Sequence, residues 1–387
     1  MMRKTVLFAA TLLAASLAQA DGSFSTLPFI AYNLSGDGRV ASGSNGAQTE
    51  TYMWSAATGL STSMGAQTWG MNQSSTPISW DGSRIGNNQR SPSDGYFHAG
   101  YYSTATAQFT AMPGGLGGTP LAGGSYGAVF AISGNGNLLG GYGQAPGGTT
   151  QGFLNAALWN TSTGVATNLG TAGEFSRLNA ISYDGKVVGG RIGNAGGAIW
   201  TDFDGDGNYT RTDMATVNGV STGVVEAVST DGQWAVGDSI GAGGAYRYNT
   251  LTQQYDILPK MNATWQSFTN GITADGKTVV GFEINRSTGE FRGFIWQEGL
   301  GTQSLDTYLA SKGIDLDNSF EFRVPAGISD DGLTFAGYGS VNAHPSANVG
   351  FVAQITAVPE PSSYALLMAG LGAVGFLARR RSAGKAA

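Results

Sequence analysis

The sequence of 387 residues contains no cysteine, only two histidines and few charged residues, which make up 12% of the chain. The absence of cysteine excludes a disulfide framework and thiolate metal sites. Low charge and 62 glycines are also found in disordered chains, but here aromatic residues make up 11%, and such side chains dominate packed cores. The composition therefore predicts an all-β protein that is rich in glycine turns.

Charge is unevenly distributed, because both ends of the chain are basic and the part between them is acidic. Residues 21–356 contain 14 basic and 25 acidic residues, which gives a net charge of −11. A surface of this sign repels phosphate backbones, so we expect no nucleic-acid partner.

The first 20 residues have the three parts of a cleavable secretory signal peptide. Arg3 and Lys4 precede an apolar run over residues 6–17, and Ala18-Gln19-Ala20 is a small-x-small cleavage site. The alternatives are a membrane anchor or a buried helix, but the run is short for a full span. We expect export and a mature chain that begins at Asp21.

The last 31 residues, 357–387, combine a short motif, an apolar segment and a basic end. Pro359-Glu360-Pro361 precedes a predicted apolar helix over residues 364–378. This helix is short for a bilayer, although snorkelling and local thinning accommodate such lengths. The positive charge of Arg379, Arg380 and Arg381 should stay cytoplasmic, which places the body on the far side of the membrane.

This order of parts resembles the PEP-CTERM sorting tail of Gram-negative bacteria. The resemblance implies that an exosortase-type enzyme of the inner membrane recognises Pro359, Glu360 and Pro361 and processes the tail. The protein would be anchored transiently in the inner membrane and then reach the cell surface or the extracellular space. An ordinary single-pass anchor is the alternative.

A five-residue pattern recurs seven times between the two ends: an aliphatic residue, Ser or Thr, any residue, Asp or Asn, and Gly. The steps between successive copies range from 44 to 56 residues. The copies are residues 34–38, 78–82, 132–136, 181–185, 228–232, 272–276 and 328–332.

Each copy is followed by the elements of a four-stranded unit. Asp-Gly or Asn-Gly supplies the positive φ of a tight turn, and an apolar strand with glycine follows. A third strand ends in a large aromatic residue, at Trp54, Trp159, Trp200, Tyr248 and Trp296. Four strands in about 45 residues are typical of a propeller blade, whereas a β-solenoid needs a shorter period and separate modules would lack a core. Residues 21–356 are therefore predicted to form a seven-bladed β-propeller, between a cleavable signal peptide and a C-terminal transmembrane sorting helix.

Ring closure is predicted from the two ends of this region. The last copy supplies only three strands, whereas residues 25–28 form a surplus strand before the first copy. We expect residues 25–28 to pair as the outermost strand of the last blade, which covers an edge that would otherwise invite aggregation.

The repeats also resemble the extracellular HAF-repeat family of exported bacterial proteins. The residues that carry this resemblance are the seven Ser/Thr-x-Asp/Asn-Gly turns, the strands that end in tryptophan and a predicted short helix at residues 305–310. The namesake His-Ala-Phe triplet is degenerate here, with His98-Ala99 as its remnant.

One acidic loop has the spacing of a calcium site. Counted from Asp202, oxygen-bearing side chains fall at positions 1, 3, 5, 9 and 12, with glycine at position 6 and a backbone carbonyl expected at position 7. The match departs from the standard loop, because position 12 is Asp and a strand precedes the loop. A metal-free acidic turn is the alternative to structural Ca²⁺. The candidate ligands are Asp202, Asp204, Asp206, Asn208, Thr210 and Asp213.

Catalytic groups are sparse, and we expect no enzymatic activity. His98 and His344 are the only histidines, and the repeated aspartates are explained by their turns. Trp69, Trp80, Trp234 and Trp265 lie outside the aromatic slot and are candidates for stacking on sugars, although core packing is the interpretation we favour.

The sequence favours an exported, non-enzymatic surface or extracellular-matrix protein, with a role in adhesion or exopolysaccharide and biofilm association. The alternative is an extracellular polysaccharide lyase or hydrolase that acts through clustered carboxylates or the metal loop. A purely structural role is a third possibility.

Overall fold

The computed structural model describes residues 22–66, 76–91, 93–112, 115–119, 124–147, 154–193, 196–214, 216–217, 220–221, 223–238, 244–317, 319–342 and 347–356. Gly22–Ile355 form one compact unit. The predicted signal peptide and the predicted helix at residues 364–378 lie outside the described residues. Of the helices within the described ranges, none has the length and apolar character needed to cross a membrane.

The described residues form 29 strands and one short helix. The strands are β1 Ser23–Leu27, β2 Ile30–Leu34, β3 Val40–Ser44, β4 Glu50–Ser55, β5 Leu60–Ala66, β6 Arg84–Arg90, β7 Phe97–Ser103, β8 Phe109–Ala111, β9 Gly127–Ile132, β10 Leu138–Gln144, β11 Leu154–Asn160, β12 Ala166–Asn168, β13 Ser176–Ile181, β14 Val187–Ile192, β15 Gly196–Thr201, β16 Thr210–Asp213, β17 Thr216–Val217, β18 Val220–Ser221, β19 Val225–Val228, β20 Trp234–Asp238, β21 Ala245–Asn249, β22 Tyr255–Ile257, β23 Gln266–Ile272, β24 Thr278–Asn285, β25 Glu290–Gln297, β26 Gly301–Ser304, β27 Phe320–Ile328, β28 Thr334–Val341 and β29 Val349–Gln354, and α1 is Leu305–Ser311.

Seven antiparallel sheets follow one another along the chain, each with its strands in sequence order, and they confirm the seven-bladed propeller. The blades are β2–β5, β6–β8, β9–β12, β13–β16, β19–β22, β23–β26 and β27–β29 with β1. The second blade has three strands, and its inner strand is reduced to a single bridge between Ile78 and Ile85. A separate two-stranded hairpin, β17–β18, follows the fourth blade.

The seventh blade closes the ring with the start of the chain, as predicted. β1 pairs antiparallel with β29, from Ser23 opposite Gln354 to Leu27 opposite Gly350. Leu27 is buried, and Phe24 contacts the rings of Phe320 and Phe322. The outer edge of the last blade is therefore covered by a strand from the other end of the propeller.

The seven repeated turns share one set of side-chain hydrogen bonds. In the first, the Ser35 hydroxyl donates to Asp37 Oδ1 at 2.7 Å and accepts from the Val40 amide at 2.9 Å. Asp37 Oδ1 also accepts from the Arg39 amide, and only Gly38 has positive φ, at 71°. The aspartate thus acts through its side chain rather than through the second positive φ that the sequence suggested. The equivalent Ser or Thr to Asp or Asn bond occurs in the other six turns.

Backbone hydrogen bonds join these turns around the propeller axis. The Trp80 amide donates to Gly134 O at 2.9 Å, and the Tyr183 amide donates to Thr230 O at 2.9 Å. Similar bonds join blades 1 and 2, 3 and 4, and 6 and 7, and the Asp330 amide joins blade 7 to blade 1 by donating to Gly36 O at 2.8 Å. The first strand of each blade therefore lies at the axis, and the repeated turns meet at one face.

The core lies between neighbouring blades, where the predicted aromatic residues are packed. Trp159 and Trp200 are 0% and 1% exposed, and Trp54, Tyr248 and Trp296 are also buried. The predicted helix is confirmed as α1, which Ser304 caps by accepting the Thr307 amide. Leu305 and Leu309 bury one side of α1 against the sixth and seventh blades.

Candidate functional site

A cavity of 410 Å³ lies on the propeller axis, between the start of the inner strands and the ring of seven repeated turns, which we call the turn ring. Its volume falls within the ~300–1,000 Å³ that small-molecule sites occupy. Six of the seven blades contribute to its wall. The lining residues are Tyr32, Asn33, Phe130, Arg177, Asn179, Glu226, Asn270, Phe282, Val324, Ala326 and Tyr338.

A β-bulge in each of six inner strands supplies this lining. In β2, for example, Ala31 pairs with Gly43 and Asn33 with Ser42, so Tyr32 has no partner in the ladder. A bulge re-aims the side chain of its extra residue. The bulged residues stand three positions before the Ser or Thr of each turn and all line the cavity: Tyr32, Phe130, Asn179, Glu226, Asn270 and Ala326.

Glycines on the second strands make room for these bulges. A Cβ on Gly43 would lie 1.9 Å from the Ile30 carbonyl oxygen, and one on Gly141 would lie 1.8 Å from the Ala128 carbonyl oxygen. Gly237 and Gly281 are in the same position, close to the carbonyl oxygens of Val224 and Phe268. Close backbone approach therefore explains why this strand carries glycine.

Aromatic rings form one part of the cavity wall. Tyr32 and Tyr338 meet edge to face, with ring centroids 6.2 Å apart. Phe282 stacks on Phe268 at 5.0 Å, and Phe130 lies beneath the guanidinium of Arg177. The Tyr32, Phe130, Phe282 and Tyr338 side chains are partly exposed, so their rings are open to a ligand in the cavity.

Charged and amide side chains form another part of the cavity wall. Arg177 Nε donates to Asn179 Oδ1 at 2.7 Å, and Asn179 Nδ2 donates to Glu226 Oε2 at 3.1 Å. Burial lowers the pKa of Arg177, although the charge of Glu226 opposes this. Burial raises the pKa of Glu226, and the guanidinium groups of Arg177 and Arg191 act in the other direction.

Asp238 lies behind this wall, at the end of β20, and is 5% exposed. Burial, together with the nearby Glu226, raises the pKa of Asp238 to about 8, while Arg191 opposes the rise. Arg177 and Arg191 thus lie near two carboxyl groups, Glu226 and Asp238, and burial disfavours the ionised forms of these carboxyls while the two guanidinium charges favour them.

The turn ring closes the axis at the other face. Trp80 Nε1 donates to Asp330 Oδ2 at 2.5 Å, and the Thr230 hydroxyl donates to the same carboxylate at 2.6 Å. Trp80 also meets Tyr183 edge to face at 6.1 Å. Both ends of the described propeller reach this face, because Ser23 pairs with Gln354, which pairs with Thr334 beside the last turn. The cavity of 410 Å³ lies on the other side of these side chains, towards the start of the inner strands.

The acidic loop of the fourth blade brings three of the six predicted calcium ligands together. Carboxylate oxygens of Asp202, Asp204 and Asp206 lie within 4.8 Å of one another. Asp202 Oδ1 accepts from the Gly205 amide at 2.9 Å, and Asp202 Oδ2 accepts from the Gly207 amide at 3.0 Å. These three oxygen donors fit a hard cation such as Ca²⁺ in chemistry.

The other three predicted ligands have other partners in the fold. Asn208 donates its backbone amide and its Nδ2 to Asp206, and Thr210 begins β16 opposite Thr201. Asp213 lies at the far end of β16 and accepts from Arg211 Nε at 2.5 Å.

The remaining candidate residues are accounted for by packing or lie outside the described ranges. His98 is buried and contacts Asp94 at 2.8 Å. Trp265 is buried, and Trp80 and Trp234 are half-buried, in agreement with a packing role. The residues outside the described ranges are Trp69, His344, Pro359, Glu360, Pro361, Arg379, Arg380 and Arg381.

Residues 271–278 match the pattern of a phosphate-binding loop, Gly-x-x-x-x-Gly-Lys-Thr. They form the repeated turn between β23 and β24, where Thr273 donates to Asp275 at 2.7 Å. A phosphate loop needs a helix after it to direct backbone amides at the ligand. A strand follows here, so the match carries no phosphate site.

The fold and the tail together define a seven-bladed β-propeller that carries a protein-sorting motif. Residues 357–381 match the PEP-CTERM protein-sorting motif, and this range includes Pro359-Glu360-Pro361 and the three arginines. The motif implies a secreted protein that an exosortase sorts across the membrane to the cell surface or the extracellular space. No curated protein sequence matches the chain.

Three solved structures with a similar fold are distant from this chain in sequence. An oligogalacturonate lyase in complex with manganese has a TM-score of 0.53 at 14% identity, over 87% of this chain and 98% of that one. An oligogalacturonate lyase from Vibrio parahaemolyticus has a TM-score of 0.50 at 12% identity, over 87% and 98%. The Cps50 (Swd1) propeller domain of Myceliophteria thermophila has a TM-score of 0.50 at 11% identity, over 86% and 98%. At these identities the likeness shows the fold alone.

Proposed function

We propose that the chain is a surface or extracellular-matrix protein that binds exopolysaccharide in its axial cavity without turnover, in adhesion or biofilm association. The observation that carries the proposal is the set of six bulges that direct aromatic, amide and charged side chains into one cavity. Aromatic rings beside amide groups suit sugar rings, because each ring stacks on an apolar sugar face while amides bind the hydroxyl groups.

The course of the chain supports this proposal. The last described strand ends at the closed face, beside the repeated turn of the seventh blade, and the sequence continues from there into the sorting tail. The cavity lies towards the other face, and the last described residues, 354–356, do not line it. The signal peptide and the resemblance to HAF repeats agree with this extracellular role and stay predictions.

Tyr338→Ala is expected to weaken the binding of exopolysaccharide by about 10-fold. Loss of one stacking ring removes about 1–1.5 kcal/mol, which corresponds to that factor in Kd. Affinity is measured by calorimetry with purified exopolysaccharide and residues 22–355, which contain every described sheet. Tyr183→Ala is the matched control, because Tyr183 is 43% exposed at the closed face.

Equal losses in the two variants would contradict a role for the cavity. Release of unsaturated or reducing products during the same incubation would favour the alternative, a polysaccharide lyase or hydrolase. Specific binding without product release would separate this protein from a purely structural one.

We also propose that the loop at Asp202, Asp204 and Asp206 holds a structural Ca²⁺ ion. Three carboxylates in one turn repel each other unless a cation neutralises them. Gly205 and Gly207 have φ of 76° and 86°, conformations that wrap the backbone tightly around Asp202. The ion would stabilise the connection between β15 and β16 and supply no chemistry.

Saturating Ca²⁺ is expected to raise the melting temperature by ~5 °C, since ligand at 100 times its Kd adds about 2.7 kcal/mol. Asp204→Asn should abolish this rise because it removes one carboxylate charge. Asp315→Asn, at an exposed aspartate outside the loop, should keep it. No binding heat with Ca²⁺ and an unchanged melting temperature would refute the proposal.

A further inference from the structure

Arg177 presents the wall of the axial cavity with a guanidinium group that is fixed on one side and open on the other. Its Nε donates to Asn179 Oδ1 at 2.7 Å, and its Cζ lies 4.4 Å from the centroid of the Phe130 ring. These two contacts fix the direction of the group. Among the described residues, the two terminal nitrogens of Arg177 have no hydrogen-bond acceptor.

The carboxyl groups nearby do not pair with Arg177. Within the described ranges, no carboxylate oxygen lies within 4.0 Å of its nitrogens, and Glu226 is bonded instead to Asn179 at 3.1 Å. Arg191 stands opposite Arg177 in the β13–β14 ladder and adds a second positive charge. A guanidinium that is partly desolvated without an ion pair loses hydration free energy, and an anionic ligand restores it.

The shape of this donor pair selects one kind of anion. Parallel N–H groups of a planar guanidinium match the two oxygens of a carboxylate, and such bidentate bonds are stronger than bonds between neutral groups. The neighbouring Phe130, Tyr32 and Tyr338 rings suit a sugar ring next to that carboxylate.

We propose that the cavity recognises an acidic sugar, a uronate, through a bidentate pair between its carboxylate and the terminal nitrogens of Arg177. This inference rests on the proposed function, the binding of exopolysaccharide in the cavity, and specifies its ligand class. Glu226 lowers the affinity for this ligand by charge repulsion. The aromatic rings bind acidic and neutral sugars alike, so the preference comes from the bidentate bonds to Arg177, to which the positive charge of Arg191 adds.

The test compares a mannuronate oligosaccharide with the same oligosaccharide after methyl esterification of its carboxyl groups. Calorimetry with the wild-type protein is expected to give about 10-fold tighter binding of the acid, equal to about 1.4 kcal/mol. Arg177→Met, which keeps an apolar stem over Phe130, should remove most of the preference, measured as the ratio of the affinities for acid and ester. Glu226→Gln should strengthen binding of the acid alone, by about threefold.

The variants distinguish a failure of this inference from a failure of the proposed function. Equal affinity of the wild type for acid and ester would overturn the uronate inference while polysaccharide binding stands. If the wild-type protein binds neither the acid nor the ester, both the uronate inference and the proposed function are refuted. Arg292→Met, at an exposed arginine of the sixth blade, should leave both affinities unchanged. If Arg177→Met does not fold, the Glu226→Gln variant decides. Tighter binding of the acid alone supports the pair between the uronate carboxylate and Arg177, whereas equal changes in affinity for acid and ester contradict it.

Discussion

Deletion of residues 21–29 is expected to lower the melting temperature of the propeller by ~10 °C or more. The deleted segment contains β1, which covers the outer edge of β29 along five residue pairs. Leu27 is 6% exposed, and Phe24 packs on three rings of the seventh blade. Burial of two such side chains contributes about 3 kcal/mol each, and each kcal/mol shifts the melting temperature by ~2 °C in a protein of this size.

Point variants and a peptide distinguish closure from a general effect of truncation. Phe24→Ala should cause about half of the loss, and Ser25→Ala, at an exposed position of the same strand, should cause almost none. A peptide with the sequence of residues 22–29 should restore stability to the deleted protein by strand addition. A deleted protein that melts at the temperature of the complete one would contradict closure by β1.

Arg247→Ala is expected to destabilise the propeller by about 3 kcal/mol, because the side chain of Arg247 joins the fifth and sixth blades. Arg247 is 4% exposed and lies between the rings of Trp234 and Trp296, at 4.1 and 4.8 Å. Its nitrogens donate to Asp256, to Glu298 and to the Gly276 carbonyl. Between the fifth and sixth blades, the described residues of the repeated turns form no backbone hydrogen bond of the kind that joins the other neighbouring turns. Arg247 therefore supplies a polar link between these two blades.

Denaturant unfolding of matched arginine variants checks this expectation. Arg247→Met keeps the packing between the two indoles and should lose about half as much stability as Arg247→Ala. Arg292→Ala should cost about 0.5 kcal/mol or less, because Arg292 is 58% exposed and its pair with Glu290 is solvated. Equal losses for Arg247 and Arg292 would show that the buried position contributes nothing.

Local patterns were sufficient to predict the blades. The Ser or Thr, Asp or Asn and Gly of each turn act within five residues, as the bonds around Ser35 show. The aromatic slots follow from strand alternation, and Trp159 and Trp200 are buried as expected. Closure by residues 25–28 followed from counting strands, because an unpaired edge is unfavourable in any arrangement of the ring.

The candidate site was not predicted, because its residues come together only through the bulges. In a regular strand, successive side chains point to opposite faces of the sheet. The one extra residue of a bulge shifts this alternation and so changes which side chain points to the axis. A detectable pattern existed at the position three before each Ser or Thr, where Tyr32, Glu226 and Asn270 interrupt small and apolar neighbours. Of the tryptophans considered for sugar stacking, Trp80, Trp234 and Trp265 pack in the fold, which is the interpretation favoured from the sequence.

The amino-acid sequence by itself determined the repeat, the number of blades, the closing strand and the sorting motif, because each depends on residues close together in the chain or on a count of strands. Only the tertiary structure decided which side chains share the axis, since residues as distant as Tyr32 and Tyr338 meet there when seven separate sheets close into a ring. It also showed that Asp330 and Trp80, 250 positions apart, join across the closed face.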